Sequence, residues 1–416
     1  MCAVFDPRYL NPRLFSIKGN PQYVLQTLLP NKKGLGAFAL CVMFVSLLTA
    51  CQANPDAHFP KTPASVLPTR SSTLLTTLPV HYFVAPTGSD KHSGTSSDQP
   101  FQTIQHALQL VQPGDTIYLA VGDYAEDLST QRDGQPTAPI TLMGPPNAVL
   151  HGTGKVSIAF LVNHDYYTLV GFTIDGLHGD PHQQKSYTDK LLYAQGYQVH
   201  QGVTGLHVLN MTFKNAGGEC IRLRYFAHQN EIAYSTILNC GRYDFQFGED
   251  GKNGEGIYVG TSSNQWADGK NPTPDADETT ENWIHHNTIN TQGSECIDIK
   301  EGAHNNIVEY NNCSGQRDKD GGGLDARGDN NIFRYNVVYD NLGAGVRLGG
   351  HKVNGIEYGK NNEVYGNVIY QNTTGGVNIA VGPQLRICGN QLRDNQGKPT
   401  FGNYGDKYKP TVPCEN

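Results

Sequence analysis

Short runs in which apolar and polar side chains alternate, each bounded by glycine, recur in the second half of the chain. The runs are GEGIYVG (254–260), SECIDIKEG (294–302), GGGLDARG (321–328) and GAGVRLGG (343–350). Alternation is typical of a β-strand, because successive side chains of a strand point to opposite faces of its sheet. A short strand that returns at intervals indicates a repeat protein, in which each unit packs on the next.

The alternation predicts a ladder of charged side chains along one face of the stack. The apolar members of the runs point inward: Ile297, Ile299, Leu324, Ala326, Val346 and Leu348. If successive units stack in register, at roughly 4.8 Å per layer, Asp298 lies over Asp325 and Arg347. Lys300 then lies over Arg327. We expect this ladder on a solvent face, where mixed charges make a poor core and a plausible active site.

Asparagine, or a serine in its place, recurs before an apolar pair. The positions are Asn210, Ser235, Asn287, Asn311, Asn336, Asn367 and Asn390, and the steps between them are 25, 52, 24, 25, 31 and 23 residues. A coil of roughly 22–25 residues suits a β-solenoid. The 52-residue step predicts two coils, and the 31-residue step predicts an insertion near 351–359. We expect the asparagines to hydrogen-bond along the coil and assign them no catalytic role.

The region 80–125 predicts a cap for the first coil. HYFVAP reads as a strand, and the segment PFQTIQHALQLVQPGD holds one amphipathic helix with Ile104, Ala107, Leu108 and Val111 on one face. An open solenoid end needs such a cover. Residues 178–196 are polar and predict a loop. The fold prediction is an all-β chain, a right-handed parallel β-helix with an N-terminal capping helix, since this opening resembles that of many carbohydrate-active β-helix proteins.

The N-terminus predicts an export signal. Lys32 and Lys33 precede an apolar run at 34–48, which ends in Leu-Thr-Ala-Cys51. This ending resembles a bacterial lipobox, which implies cleavage before Cys51, lipidation of Cys51 and attachment to a bacterial membrane facing the periplasm or cell surface. An uncleaved membrane anchor is the alternative. The predicted organisation is a signal segment at 1–51, a Pro/Ser/Thr-rich flexible linker at 52–79 and a β-helix domain at 80–416.

Composition and charge narrow the classes of function. The formal net charge of −7 argues against a nucleic-acid surface. We expect the protein to be a monomer.

Six cysteines lie beyond the lipobox, and an even number in an exported protein permits disulfides. The candidate pairs are Cys388–Cys414, Cys220–Cys240 and Cys296–Cys313. Buried free cysteines stacked inside the coil are the alternative, because Cys220 and Cys296 share the Glu-Cys-Ile slot.

An exposed ladder of Asp, Glu, Lys and Arg fits three chemistries on a β-helix. The first is β-elimination on uronic-acid polymers, which needs a base for the C5 proton and neutralisation of the adjacent carboxylate. The second is glycoside hydrolysis, which needs carboxylates at set separations and would use Asp298 and Asp325. The third, C5 epimerisation, is a variant of the first. A surface protein that binds glycans without catalysis is the alternative outside enzymes.

The core 250–350 resembles the family-6 polysaccharide lyases, which include alginate lyases and chondroitinase B. The resemblance rests on NGEGIYVGTSS (253–263), then SECIDIKEG, GGGLDARG and GVRLGG. It implies that Lys300 is the base, that Glu295, five residues earlier, is a Ca²⁺ ligand, and that Arg327 assists. Asn253 matches a calcium-binding Asn loosely.

This sequence departs from the family pattern at several positions. The second calcium-binding Glu falls at Gly293, and the His that usually follows the Arg is Gly328. Asp298 and Asp325 are additional acids, which can replace the lost ligand, so the predicted Ca²⁺ ligands are Glu295, Asp298 and Asp325. The family-9 pectate lyases offer a competing resemblance, with Asp325 in their Asp cluster.

The predicted function is therefore β-elimination on an acidic polysaccharide, with Lys300 and Arg327 as catalytic residues. An acidic protein that acts on a polyanion needs local positive charge at its site. The predicted substrate-binding residues are Arg347, Arg222, Arg224, Tyr258 and Trp266. Trp266 lies in a loop, 264–280, that leaves the coil near the ladder. It either stacks on a sugar ring or packs the loop down.

Overall fold

A computed structural model describes residues 78–248 and 251–415, and these residues form a right-handed parallel β-helix. Three long parallel sheets, here called A, B and C, run along the axis of the coil. The all-β fold prediction is confirmed. The predicted signal segment, the lipidated Cys51 and nearly all of the predicted linker lie outside the described residues.

The strands are numbered in chain order. Sheet A contains β1 (His81–Val84), β2 (Thr116–Leu119), β5 (Ile140–Met143), β8 (Tyr167–Val170), β11 (His207–Leu209), β14 (Glu231–Ala233), β17 (Trp283–His285), β20 (Ile307–Glu309), β23 (Ile332–Arg334), β28 (Glu363–Tyr365) and β31 (Arg386–Cys388). Sheet B contains β3 (Gly122–Ala125), β6 (Ala148–His151), β9 (Thr173–Asp175), β12 (Thr212–Lys214), β15 (Thr236–Leu238), β18 (Thr288–Asn290), β21 (Asn312–Ser314), β24 (Val337–Tyr339), β29 (Val368–Tyr370) and β32 (Gln391–Arg393).

Sheet C contains β4 (Leu128–Ser129), β7 (Ile158–Val162), β10 (Lys190–Gln195), β13 (Ile221–Arg224), β16 (Ile257–Val259), β19 (Ile297–Ile299), β22 (Gly322–Ala326), β25 (Ala344–Leu348), β30 (Gly375–Ile379) and β33 (Thr400–Phe401). A small antiparallel hairpin joins β26 (Lys352–Val353) to β27 (Ile356–Glu357). The helices of the described residues are α1 (Ile104–Leu110), α2 (Arg242–Phe245) and three short 3₁₀ turns, Gln184–Ser186, Ser263–Gln265 and Gly405–Lys407. Within the described ranges, none of these helices combines the length and the apolar character needed to cross a membrane.

Aligned apolar side chains fill the inside of the coil. On sheet C, Ile297 pairs with Leu324, Leu324 with Val346, and Val346 with Val377, and all four are fully buried. The inward direction predicted from the alternation is therefore confirmed. Identical register on every coil lets each layer bury its apolar face against the next, which no single coil can do alone.

Asparagine side chains run along the coil as predicted. The Nδ2 atom of Asn287 donates to Oδ1 of Asn311 at 3.0 Å, and Asn311 donates in the same way to Asn336 at 3.1 Å. Asn336 continues the column to Asn367 at 3.0 Å, and Asn367 continues it to Asn390 at 2.9 Å. Each amide also donates to a backbone carbonyl, so the column satisfies buried turn groups that the parallel sheets leave unpaired.

Helix α1 covers the first coil. Its buried face consists of Ile104, Ala107 and Leu108, and it contacts β1, β2 and β4. The side chain of Thr103 caps the helix by accepting from the His106 N–H at 3.3 Å. Helix α1 thus covers the apolar interior at the end where the stack begins.

All six cysteines of the described chain form disulfides: Cys220–Cys240, Cys296–Cys313 and Cys388–Cys414. The alternative of free stacked cysteines is wrong. Cys220 and Cys296 do share a slot of the repeat. Each nevertheless bonds to a cysteine further along the chain, 20 and 17 residues away, and not to a cysteine in the same slot of a neighbouring coil.

Two predictions about the coil are wrong. The step from Ser235 to Asn287 holds one coil, because β14 pairs directly with β17 and β15 with β18. Its extra length lies in segments on either side of β16. The polar region 178–196 contains strand β10, whose residues Leu191 and Leu192 are fully buried.

Candidate active site

The predicted ladder lies on the outer side of sheet C in the predicted register. Asp298 pairs with Asp325, and Asp325 pairs with Arg347. Arg327 follows β22 beside Lys300, since the Arg327 N–H donates to the carbonyl of Ile299 at 2.7 Å. Strand β16 continues the same line, with Tyr258 opposite Asp298.

The prediction that this ladder lies on a solvent face is wrong. Asp298 and Asp325 are fully buried, and Lys300 is 4% exposed. The side chains of Arg327 and Arg347 keep 19% and 22% of their exposure. The site is therefore a dry cluster with two arginines at its opening, where electrostatic interactions are stronger than in water.

Ion pairs connect the two predicted catalytic residues through Asp298. The Nζ atom of Lys300 binds Oδ2 of Asp298 and lies 3.2 Å from Oε1 of Glu255. The Nη2 atom of Arg327 lies 2.9 Å from the same Oδ2 of Asp298. Lys300 Nζ also lies 4.1 Å from the centroid of the Tyr258 ring, which adds a cation–π contact.

Three carboxylates form an oxygen cluster beside these cations. One oxygen each from Glu255, Glu295 and Asp298 lies within 4.8 Å of the others. Ser294 donates to Oε2 of Glu295 at 2.6 Å, and the Gly254 N–H donates to Oε2 of Glu255 at 3.0 Å. Two of the three predicted Ca²⁺ ligands, Glu295 and Asp298, are thus brought together.

The third predicted ligand, Asp325, neighbours this cluster but is not one of its three carboxylates. Its Oδ2 atom pairs with Nη1 of Arg347 at 2.7 Å, and Glu255 takes its place among the three carboxylates. The signal for Glu255 was present in the sequence, because GEGIYVG and SECIDIKEG carry glutamate in the same slot.

Burial raises the pKa values of two of these acids, whereas neighbouring cations lower the pKa of the third. Burial raises the pKa of Glu295 to about 8, and the neighbouring charges of Asp298 and Asp325 add to the rise. Burial also raises the pKa of Glu255. Burial acts in the same sense on Asp298, but Arg327 and Lys300 outweigh it and hold the Asp298 pKa below its usual value. The cluster therefore carries more carboxyl groups than its cations neutralise.

The residues present fit a hard divalent cation such as Ca²⁺. Such ions take oxygen ligands only, and carboxylates are preferred. The Oδ1 atoms of Asp298 and Asp325 are buried without a hydrogen-bond partner, and a buried unpaired carboxylate oxygen is costly. A cation bound by Glu255, Glu295 and Asp298 would satisfy Asp298 and offset the repulsion that raises the pKa of Glu295.

A cavity of about 820 Å³ lies on the N-terminal side of this cluster, over β7, β10 and β13. Its charged lining consists of six cations and two acids: Lys155, Lys185, Lys190, Arg222, Arg224, Lys270, Asp189 and Glu219. Arg222 connects the cavity to the cluster, since its guanidinium carbon lies 4.1 Å from the Tyr258 ring centroid. The cavity is thus a cationic extension of the site.

The cavity and the adjoining charged cluster are together called the groove over sheet C. The predicted substrate-binding residues occupy different positions around it. Arg222 pairs with Glu219 at 3.1 Å and receives support from Gln265 at 2.9 Å. Arg224 is almost fully buried and holds the loop 264–280, since its guanidinium donates to Asn271 and lies 3.3 Å from Asp268. Arg347 lies at the C-terminal side of the ladder, beyond Asp325.

Trp266 packs its loop onto the coil. It is 6% exposed, its Nε1–H donates to the carbonyl of Thr261 at 2.9 Å, and its ring meets Tyr358 edge-on at 5.7 Å. Of the two predicted roles, this geometry favours packing over stacking on a sugar ring.

Comparisons with known proteins agree with the fold. A family model described as the Pel9A-like right-handed β-helix region matches residues 82–271. An alginate lyase from Paenibacillus sp. str. FPU-7 is similar in structure, with a TM-score of 0.59, 24% identity, and coverage of 72% of this chain and 95% of that one. The pectate lyase Pel9A gives a TM-score of 0.50 and 14% identity, with coverage of 81% of this chain and 82% of that one.

A relative in Bacillus subtilis (strain 168), the uncharacterized protein YwoF, is 26% identical over 136 residues. The match covers 31% of this chain and 28% of that protein, so it spans less than a third of either. The predicted resemblance to right-handed β-helix polysaccharide lyases is confirmed at the level of the fold.

Proposed function

We propose that this protein is a polysaccharide lyase that cleaves a uronic-acid-containing polysaccharide by β-elimination in the groove over sheet C. The observation that carries the proposal is the convergence of Lys300 and Arg327 on Asp298, beside a cavity lined mostly by cations. The proposed reactive centre and the proposed surface for a polyanion would then lie side by side over sheet C. The fold that this chain shares with an alginate lyase and a pectate lyase agrees with this function.

The reaction removes the C5 proton of a uronate, breaks the bond from C4 to the glycosidic oxygen, and leaves a double bond between C4 and C5. Lys300 is the proposed base, since an ammonium group can lose its proton whereas a guanidinium does not. Arg327 is the proposed partner of the uronate carboxylate, because its fixed charge opposes the negative charge that develops on proton removal. The leaving oxygen takes up a proton, for which Lys300, charged after it has taken the C5 proton, is the proposed donor.

Glu255, Glu295 and Asp298 are the proposed Ca²⁺ ligands. Calcium bound there would supply positive charge beside the substrate carboxylate and would relieve Lys300 of the two ion pairs that favour its protonated form. A readout independent of activity tests the site. We expect Ca²⁺ to raise the melting temperature of the wild-type protein, since a ligand that binds only the folded state stabilises it. Glu255→Gln should abolish that rise, and an equal rise in both proteins would contradict the assignment.

The lyase activity is tested by ultraviolet absorbance of the unsaturated product. The mature protein is incubated with alginate, pectate, chondroitin or dermatan, each with Ca²⁺ and with chelator. We expect absorbance to rise on one polymer and to be abolished by Lys300→Ala. Lys91→Ala, which removes an exposed lysine near the N-terminal cap, is the matched control and should leave the rate unchanged.

Two other outcomes would refute the proposal. Reducing ends released without an unsaturated product would indicate hydrolysis, with Asp298 and Asp325 as the acids to test. Neither product on any of these polymers would favour a binding or structural role for the groove. Arg222→Ala would then be compared with wild type for retention of the same polymers in affinity gels.

We also propose that the protein is exported and anchored through a lipid on Cys51, as the Leu-Thr-Ala-Cys ending indicates. Labelled fatty acid should be incorporated by the wild-type protein in a bacterial host and not by Cys51→Ser. Equal labelling of both proteins would contradict this proposal.

A further inference from the structure

A tryptophan lies flat on the outer side of sheet A, away from the sheet that carries the groove. Trp283 stacks on the ring of His285 with centroids 3.7 Å apart and planes inclined by 28°. Its Nε1–H donates to Oε1 of Glu309 at 2.8 Å. The stacked face leaves His285 only 2% exposed, while Trp283 itself remains 41% exposed. The indole is therefore held in one orientation with its other face open to solvent.

Neighbouring charges hold this arrangement firmly. Glu231 lies 2.9 Å from Nε2 of His285 and 2.7 Å from Nδ1 of His207. Arg334 binds the second oxygen of Glu309 at 2.5 Å. Each group that orients Trp283 is thus itself fixed by a neighbour on the next coil, so the indole loses little freedom when a ligand covers it.

A column of aromatic rings runs beside Trp283 on the turn between sheets A and B. Tyr234 stacks on His286 at 5.0 Å, His286 on Tyr310 at 5.0 Å, and Tyr310 on Tyr335 at 5.2 Å. The three tyrosines are 43–55% exposed. Trp283 is linked to this column through His285, whose ring meets Tyr234 edge-on at 5.4 Å, and Trp283 with the three tyrosines is here called the aromatic patch. Exposed rings that stack side by side, in contrast to single exposed apolar residues, are candidates for a binding surface.

We propose that this aromatic patch, made of Trp283, Tyr234, Tyr310 and Tyr335, is a second saccharide-binding surface, separate from the groove over sheet C. An open indole face accepts the apolar face of a pyranose ring, and carboxylates and a guanidinium at its edge accept and donate hydrogen bonds to ring hydroxyls. The row of rings along the axis suits a chain of sugars rather than a single one.

The charges around the patch indicate a neutral polysaccharide. Glu231 and Glu309 flank Trp283, and the one arginine in contact with this group, Arg334, is already paired with Glu309. Uronate carboxylates would meet net negative charge here, in contrast to the six cations that line the cavity over sheet C. The two surfaces thus suit different parts of a mixed polysaccharide matrix, one neutral and one acidic.

Affinity gel electrophoresis of the mature protein tests the proposal with galactomannan, glucomannan, xyloglucan and mixed-linkage β-glucan in the gel. We expect at least one of these polymers to retard the wild-type protein. Trp283→Ala should raise the dissociation constant for the polymer, measured from the retardation, about tenfold. This is the loss expected when one face of an indole no longer covers a sugar. Tyr310→Ala should weaken it less, and it serves as a second variant if Trp283→Ala does not fold.

Two controls separate this surface from the others. Tyr339→Ala removes a ring on sheet B that stacks on Tyr370 at 5.1 Å, and it should leave retardation unchanged. Lys300→Ala should also leave it unchanged, because the groove lies on another sheet. The proposal is wrong if no neutral polymer retards the wild-type protein or if Trp283→Ala binds as well as wild type. It is also wrong if Lys300→Ala abolishes retardation, since binding would then belong to the groove.

Discussion

Replacing Glu219 with glutamine tests whether the buried charges beside the groove stabilise the fold. Glu219 is fully enclosed, with Oε1 at 3.1 Å from Arg222 and Oε2 at 3.1 Å from Lys190. Burial by itself would raise the pKa of Glu219, but Lys190 and Arg222 outweigh it and lower the pKa from 4.5 to about 2. The folded protein therefore favours the ionised carboxylate more than the unfolded chain does.

The size of the effect follows from this shift. A difference of one pKa unit corresponds to 1.36 kcal/mol, so a fall from 4.5 to about 2 contributes about 3 kcal/mol to the free energy of unfolding. The contribution is fully present above pH 4.5. It is lost as the pH falls through the window from 4.5 to about 2, because the carboxylate is protonated in both states below it. Glutamine, which resembles the protonated acid, lacks this contribution at every pH.

Urea denaturation followed by circular dichroism, with the disulfides intact, measures the difference between Glu219→Gln and wild type. We expect about 3 kcal/mol at neutral pH, and a difference that shrinks steadily below pH 4.5. Glu278→Gln, at an exposed position, is the matched control and should change stability by less than about 0.5 kcal/mol. A difference that stays constant from neutral pH to about pH 3 would refute the electrostatic reasoning. So would a neutral-pH difference no larger than that of the control.

Two further predictions concern packing around the coil. Asn311→Ala should lower the free energy of unfolding by about 3 kcal/mol or more, because it leaves buried backbone groups of Asn287 and Ile284 without partners. The same denaturation assay measures it, and a loss under about 1 kcal/mol would contradict the column's role. Trp266→Ala should release the loop 264–280 and speed its cleavage by protease at least several-fold, whereas Tyr339→Ala should not. Equal cleavage rates in the two variants would show that Trp266 does not anchor the loop.

The sequence alone determined the repeat and the direction of its side chains. Alternation with period two is a local property of a strand, so Ile297 and Asp298 had to point to opposite faces. Stacking of equal-length coils then placed Asp298 on Asp325 and Asp325 on Arg347, as the pairing of β19, β22 and β25 confirms. The asparagine column and the amphipathic helix α1 could likewise be predicted from the sequence, because each depends on the spacing of residues along the chain.

Only the tertiary structure decided what surrounds that ladder. The length of the segment between Ser235 and Asn287 did not reveal that it holds a single coil with extra residues on either side of β16, nor that Asp298 is fully buried. The tertiary structure also placed Glu255 beside Glu295 and buried Trp266. Trp283, on another sheet, stayed partly exposed. These outcomes depend on contacts between residues on different coils and in long insertions. Local periodicity carries no information about them, since the same alternating strand can face either water or a covering loop.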